Sequence, residues 1–79
     1  MEHGANVNRR FPDGRTPLYA AAESGNIRVV NLLIARGARV NERVLYDTAL
    51  DAAEQRGNTP AARVLAAHGG IRMNTNYMY

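Results

Sequence analysis

The sequence predicts an all-α fold, a solenoid of stacked antiparallel helix pairs linked by β-hairpin fingers. Three observations predict it. TPLYAAAESGN (Thr16 to Asn26) returns as TALDAAEQRGN (Thr48 to Asn58), 32 positions later. HGANVN (His3 to Asn8) returns as RGARVN (Arg36 to Asn41), and HGGIRMN (His68 to Asn74) is a third, degraded copy. Each recurring stretch also carries its own helix start and stop. A fixed period of about 20–50 residues is the mark of a stacked repeat, in which no unit buries enough apolar surface alone and neighbours share one core.

The elements follow from local rules. Thr16 before Pro17 reads as a helix start, with Thr as N-cap and Pro preorganised at the first helical position. Thr48 repeats the cap, and Asp51 three residues on resembles the acidic end of a capping box. The first helix of each unit is short, about nine residues at the spacing of its caps, and is expected to stop at Gly25 or Gly57 in the left-handed conformation. Its stripe is small: Leu18, Ala21 and Ala22, then Leu50 and Ala53.

The second helix starts near Asn26 or Asn58. Val29, Val30, Leu32 and Leu33 are expected to form its inward face, with a stop at Gly37. In the second unit PAARVLAAHG (Pro60 to Gly69) substitutes Ala for bulky residues, as expected at the end of a stack. Between the units VNRRFPDGR reads as strand–turn–strand, with Asp13–Gly14 at a tight turn.

This pattern resembles the ankyrin repeat. The residues that carry the resemblance are DGRTPLYAAAESGNIRVVNLLIARGARVN (Asp13 to Asn41), and it extends over roughly residues 3 to 72. It implies a repeat domain over residues 1–72, approximately a partial repeat at 1–10, a repeat at 11–42 and a repeat at 43–73, followed by a tail at 73–79. Two departures stand out. Tyr19 and Asp51 occupy the place of the family's usual His, so the hydrogen bonds of that His must be replaced. The second finger, NERVLYDT, lacks the Asp-Gly turn and is one residue shorter.

The totals narrow the function. At 79 residues the chain is one domain or less. It has no Cys, hence no disulfide or thiolate metal site, which fits a reducing compartment. No apolar run approaches the ~18 residues of a membrane span, and the first residues have no secretory core. The expected location is cytoplasmic or otherwise intracellular. All ten basic residues are Arg. Codon bias is the plain explanation, which the eight Asn weaken. A surface that avoids ubiquitin attachment, suited to a protein delivered into a host cell, is the sharper one.

Candidate chemistry is sparse. His3 and His68 lie two units apart, roughly 20 Å at helix spacings of about 8–10 Å, too far to share a metal ion. Ser24, the only Ser, sits at a turn without a base. The expectation is therefore no catalysis, no metal and no cofactor, in line with the recognition role that the resemblance implies.

That role places partner binding on the finger tips and on the exposed side of the first helix. The candidates are Arg10, Phe11, Asp13 and Arg15 in or beside the first finger, and Arg43, Leu45 and Tyr46 in the second. Glu23, Ser24, Gln55 and Arg56 belong to the helix side. Loops on a rigid scaffold carry binding, and interfaces favour Arg and aromatics. The expected partner is another protein, with an acidic surface as the complement of the Arg set, and no membrane.

The alternative is an Arg-mediated nucleic-acid or phosphate-binding module, although a net charge of +3 is small for a nucleic-acid footprint. The two separate by salt, since phosphate binding weakens steeply as salt rises. The side of Leu18, Val29 and Leu33 is expected to be under-covered, inviting end-to-end self-association. The tail MNTNYMY has no helix period; disorder is the expectation, with Met73, Tyr77, Met78 and Tyr79 folding over the open end as the alternative.

Overall fold

The computed structural model describes residues 6–73. It contains four helices: α1 (Pro17–Ser24), α2 (Ile27–Ala35), α3 (Ala49–Gln55) and α4 (Thr59–Ala67). The caps explain where they begin. The Thr16 hydroxyl accepts from the Tyr19 N–H at 3.1 Å, and the Asn26 side-chain oxygen accepts from Val29 at 3.2 Å. At α3 the capping box forms in both directions, with Thr48 taking the Asp51 N–H and the Asp51 carboxylate taking the Thr48 N–H at 2.9 Å. Two stops come earlier than the glycines. α2 ends on an Arg36 cap and α3 on an Arg56 cap, with Gly37 and Gly57 each one residue beyond.

Gly25 has two reasons to be Gly. Its φ of 73° is left-handed, and a Cβ would stand 3.0 Å from the Asn58 side chain. That side chain makes no cap bond for α4. It donates instead to the Ala22 and Glu23 carbonyls at 2.8 and 2.9 Å, joining the second unit to the end of α1.

Inner helices α1 and α3 pack side by side, as do outer helices α2 and α4, and each inner helix packs on its own outer partner. The shared core includes Leu18, Ala22, Val30, Leu50, Ala53, Ala61 and Leu65. Leu18 is only 2 % exposed, so the expectation that it would be under-covered is corrected; Val7 and Ala38 belong to the same cluster. The inward stripe of α2 is narrower than periodicity suggests. Val30 is buried and Leu33 half-buried, whereas Val29 and Leu32 are 36 % and 49 % exposed. Val29 lines an open groove with Phe11, Pro17 and Leu33, which leaves it partly in solvent.

The fingers are corrected too. Among the described residues there is no strand. The first finger is a turn closed by Phe11 N–H to the Arg15 carbonyl and Gly14 N–H to the Phe11 carbonyl, both 2.8 Å. The second is a single antiparallel bridge, Val44 to Asp47. With so few residues per finger, side-chain bonds replace a ladder.

Asn residues supply many of these. Asn8 accepts from the Arg39 N–H at 2.7 Å and donates to the Gly37 carbonyl; Asn41 repeats this with Ile71 and Gly69 at 2.8 and 3.0 Å. An amide carries both a donor and an acceptor, which is what a loop with one free N–H and one free carbonyl requires.

Of the expected tail only Met73 lies within the described residues. Its N–H donates to the Asp51 carboxylate at 3.0 and 3.1 Å. Tyr77, Met78, Tyr79 and His3 lie outside them. No helix among the described residues is long and apolar enough to cross a membrane.

Candidate functional site

A recess of about 380 Å³ opens between the two fingers and α1, lined by Arg10, Asp13, Gly14, Arg15, Tyr19, Glu23, Val44 and Leu45. Its floor is apolar. Tyr19 and Val44 are buried and pack with Ala52 in a cluster separate from the main core. Its rim is a chain of charges. Arg15 bonds Asp13 at 2.8 Å and Glu23 at 2.7 Å, and Arg56 reaches the other Glu23 oxygen at 3.4 Å. Gln55 donates to Asp47 at 3.1 Å, tying α3 to the second finger. Such surface pairs add little stability; what they do is hold side chains in one orientation.

The titrating groups reflect this geometry. The Arg15 backbone N–H, followed by its guanidinium, holds the Asp13 carboxyl below its usual range. Bonds to Glu23 and Asp13 push Arg15 up. Burial raises the Tyr19 phenol, with Asp47 and Glu23 adding to it.

The sequence-expected residues divide into groups. Arg10, Asp13, Arg15, Glu23 and Leu45 line the recess, and Gln55 and Arg56 join it through Asp47 and Glu23. Arg10 is a strut more than a free contact. Its guanidinium donates to the Gly14 carbonyl at 2.7 Å, to Glu42 at 3.0 Å and to the Arg43 carbonyl at 2.6 Å, so it locks one finger onto the other. Phe11 and Ser24 lie elsewhere, along a groove at the N-terminal end of the stack, and the Ser24 hydroxyl donates to the Ala21 carbonyl at 3.0 Å. Arg43 is exposed, and its side chain makes no bond among the described residues. Tyr19 was missed as a floor residue; the signal for it was an aromatic ring where the repeat pattern places His.

Leu45 is the most unusual residue of the site. It is 87 % exposed and holds φ 59°, and Tyr46 beside it is 79 % exposed. The pair forms a two-residue turn inside the Val44–Asp47 bridge, at a first position that suits Gly. Leu45→Gly should therefore raise stability by about 1 kcal/mol. That is the relief of a strain of order 1–3 kcal/mol, less the extra freedom of Gly in the unfolded chain. A urea midpoint that fails to rise would show the turn to be unstrained.

Five of the ten Arg are already in ion pairs among the described residues: Arg10, Arg15, Arg39, Arg56 and Arg72. They are committed to neighbouring carboxylates, which does not favour a phosphate-binding surface.

Comparison with known proteins fits this architecture. A family model described as ankyrin repeats, in three copies, matches residues 1–77. Alpha-latrotoxin-Lt1a of Latrodectus tredecimguttatus is 43 % identical over 70 residues, 86 % of this chain and 5 % of the toxin. Protein fem-1 homolog A of Homo sapiens is 41 % identical over 59 residues, 75 % of this chain and 9 % of that protein. The chain thus spans only 5 % to 9 % of the length of these relatives. Two helix pairs stacked at a 32-residue period, each opened by a Thr cap and linked by a finger, together with that match over residues 1–77, show that the chain belongs to the ankyrin-repeat family, whose general role is to bind other proteins.

Proposed function

We propose that the chain binds another protein through the recess between its fingers, without catalysis. Leu45 and Tyr46 serve as apolar anchors, and Arg43 with the Asp13–Arg15–Glu23–Arg56 chain forms a polar rim. The observation that carries this reading is the Leu45–Tyr46 turn: two large side chains held almost fully in solvent on a rigid scaffold. Apolar anchors with a charged rim are the usual make-up of a recognition surface. The complementary patch is apolar at its centre and acidic where it meets Arg43.

The test is the affinity of the chain and its variants for a captured partner. Leu45→Ser with Tyr46→Ser should weaken binding at least about 30-fold, as expected of anchor residues, with the helical spectrum unchanged. Arg43→Glu should chiefly slow association and reduce its salt dependence. Arg10 is unsuitable for this purpose, because its loss would release the second finger. Full affinity in the double Ser variant would place the contact elsewhere.

A further inference from the structure

Charge is divided unequally between the two sides of the stack. The outer stretches 26–41 and 58–72, which hold α2 and α4, carry five Arg and no Asp or Glu. The rest of the chain carries the other five Arg and all seven carboxylates. Fingers and inner helices can therefore pair their charges internally, and the outer side cannot. Arg39 and Arg72 reach carboxylates across that boundary, on Glu42 and Glu54. Arg28 and Arg63 do not. Both are exposed, and neither side chain makes an ion pair or hydrogen bond among the described residues.

Apolar surface lies beside these two cations. Leu32 is 49 % exposed and follows Arg28 by one turn on the same stripe of α2. Its equivalent 32 residues on is Val64, half-buried and next to Arg63 in α4. Because α2 and α4 pack side by side, the repeat sets Leu32 and Val64 at neighbouring positions across the seam between the two helices. Arg63 is the equivalent of Asn31, three residues along from Arg28 and one helix across. A rise of about 1.5 Å per residue and a helix spacing of about 8–10 Å put the two Arg backbones roughly 10 Å apart. That is about two turns of an α-helix.

We propose that this outer face docks an acidic amphipathic helix of another protein. The helix presents two carboxylates two turns apart with an aliphatic side chain between them. The carboxylates meet Arg28 and Arg63, and the aliphatic group covers Leu32. A helix suits the place because the seam between two parallel helices is a groove, and such recognition reads anchors at i, i+3 or i+4, and i+7. Nucleic acid suits it less: an apolar Leu stands at the centre, and neither α2 nor α4 carries an aromatic ring on which a base could stack. An anionic lipid surface calls for a denser cluster of about 4–8 cations. The face lies on other helices than the finger recess, and the proposal stands or falls independently of the binding role given to that recess.

The probe is a stapled, Ala-rich helical peptide of about four turns, with Glu at i and i+7 and Leu at i+4. Amide shifts of the full chain, followed by NMR at low salt, should move along α2 and α4. Gln in place of both Glu should weaken binding about tenfold, the worth of two exposed ion pairs. Arg28→Gln with Arg63→Gln should cost the same and leave the helical spectrum unchanged. Leu32→Ser should weaken binding by about fivefold through lost apolar contact. Leu45→Ser with Tyr46→Ser should leave this affinity as it is, which separates the face from the recess. Equal affinity for the Glu and Gln peptides, shifts confined to the fingers, or undiminished binding by the double Arg variant would overturn the proposal. So would tighter binding to phosphatidylserine vesicles or to a DNA oligonucleotide than to the Glu peptide, lost in the same variant, for it would assign the face to lipid or nucleic acid.

Discussion

Leu65→Ala should leave the chain largely unfolded in water. Leu65 is fully buried and belongs to the same shared core as Leu50, Ala53 and Ala61. Truncating such a residue costs about 3–5 kcal/mol, as lost transfer energy plus the cavity left behind. Ala already fills most of the surrounding positions, so little can move in to close the gap. A chain of 79 residues with two helix pairs starts near the low end of the roughly 5–15 kcal/mol usual for folded proteins. The loss is therefore comparable to the whole. Far-ultraviolet circular dichroism with a urea titration reads it directly. Leu32→Ala is the control: Leu32 is 49 % exposed on the outer helix and should cost less than about 1 kcal/mol. If the Leu65 variant kept a cooperative transition near the parent midpoint, the core described above would not be what holds the two units together.

The second large effect is expected at Asp51. Its carboxylate is fully buried and accepts the Thr48 N–H and the Met73 N–H, while the Thr48 hydroxyl takes the Asp51 N–H and donates to the Ile71 carbonyl at 2.7 Å. It thus ties the start of α3 to the segment that follows α4. Asp51→Ala strands two backbone N–H groups, each costing about 1–3 kcal/mol when buried without a partner, and also removes half of the capping box. The sum should be about 3 kcal/mol. Asp51→Asn retains one acceptor oxygen and should fall between the parent and the Ala variant. Hydrogen exchange separates this mechanism from general loosening: the Met73 amide should lose its protection while the α1 amides keep theirs relative to global stability. An Asp51→Ala variant as stable as the parent, with Met73 still protected, would show the tie to be inert.

The same position in the first unit shows how one pattern can be solved twice. Tyr19 and Asp51 both stand where the repeat family places His. Asp51 supplies hydrogen bonds, whereas Tyr19 supplies apolar surface to Val44 and Ala52 and so becomes the floor of the recess. The resemblance to the repeat family marked both as departures. Which solution each would adopt depended on what lay across from it. Arg15, Glu23 and Arg56 were likewise legible as residues of the finger and inner helix, but their joining into one ion-pair chain was not. Arg56 lies 33 residues from Glu23.

What the sequence determined by itself is local and periodic. The start of each helix, the capping box at Thr48 and Asp51, the left-handed Gly25 and the 32-residue translation all rest on bonds within about four residues or on the recurrence of the same letters. The tertiary structure decided the rest. Asn26 and Asn58 occupy equivalent positions, yet one caps its helix and the other joins two units. Val29 is exposed while its equivalent Ala61 is buried, and Arg10 spans both fingers, with acceptors four, 32 and 33 residues away. A local hydrogen bond is fixed by the chain's own geometry, whereas the burial of a side chain is fixed by whatever unit lies beside it, and a repeat sequence writes the same residue for both situations.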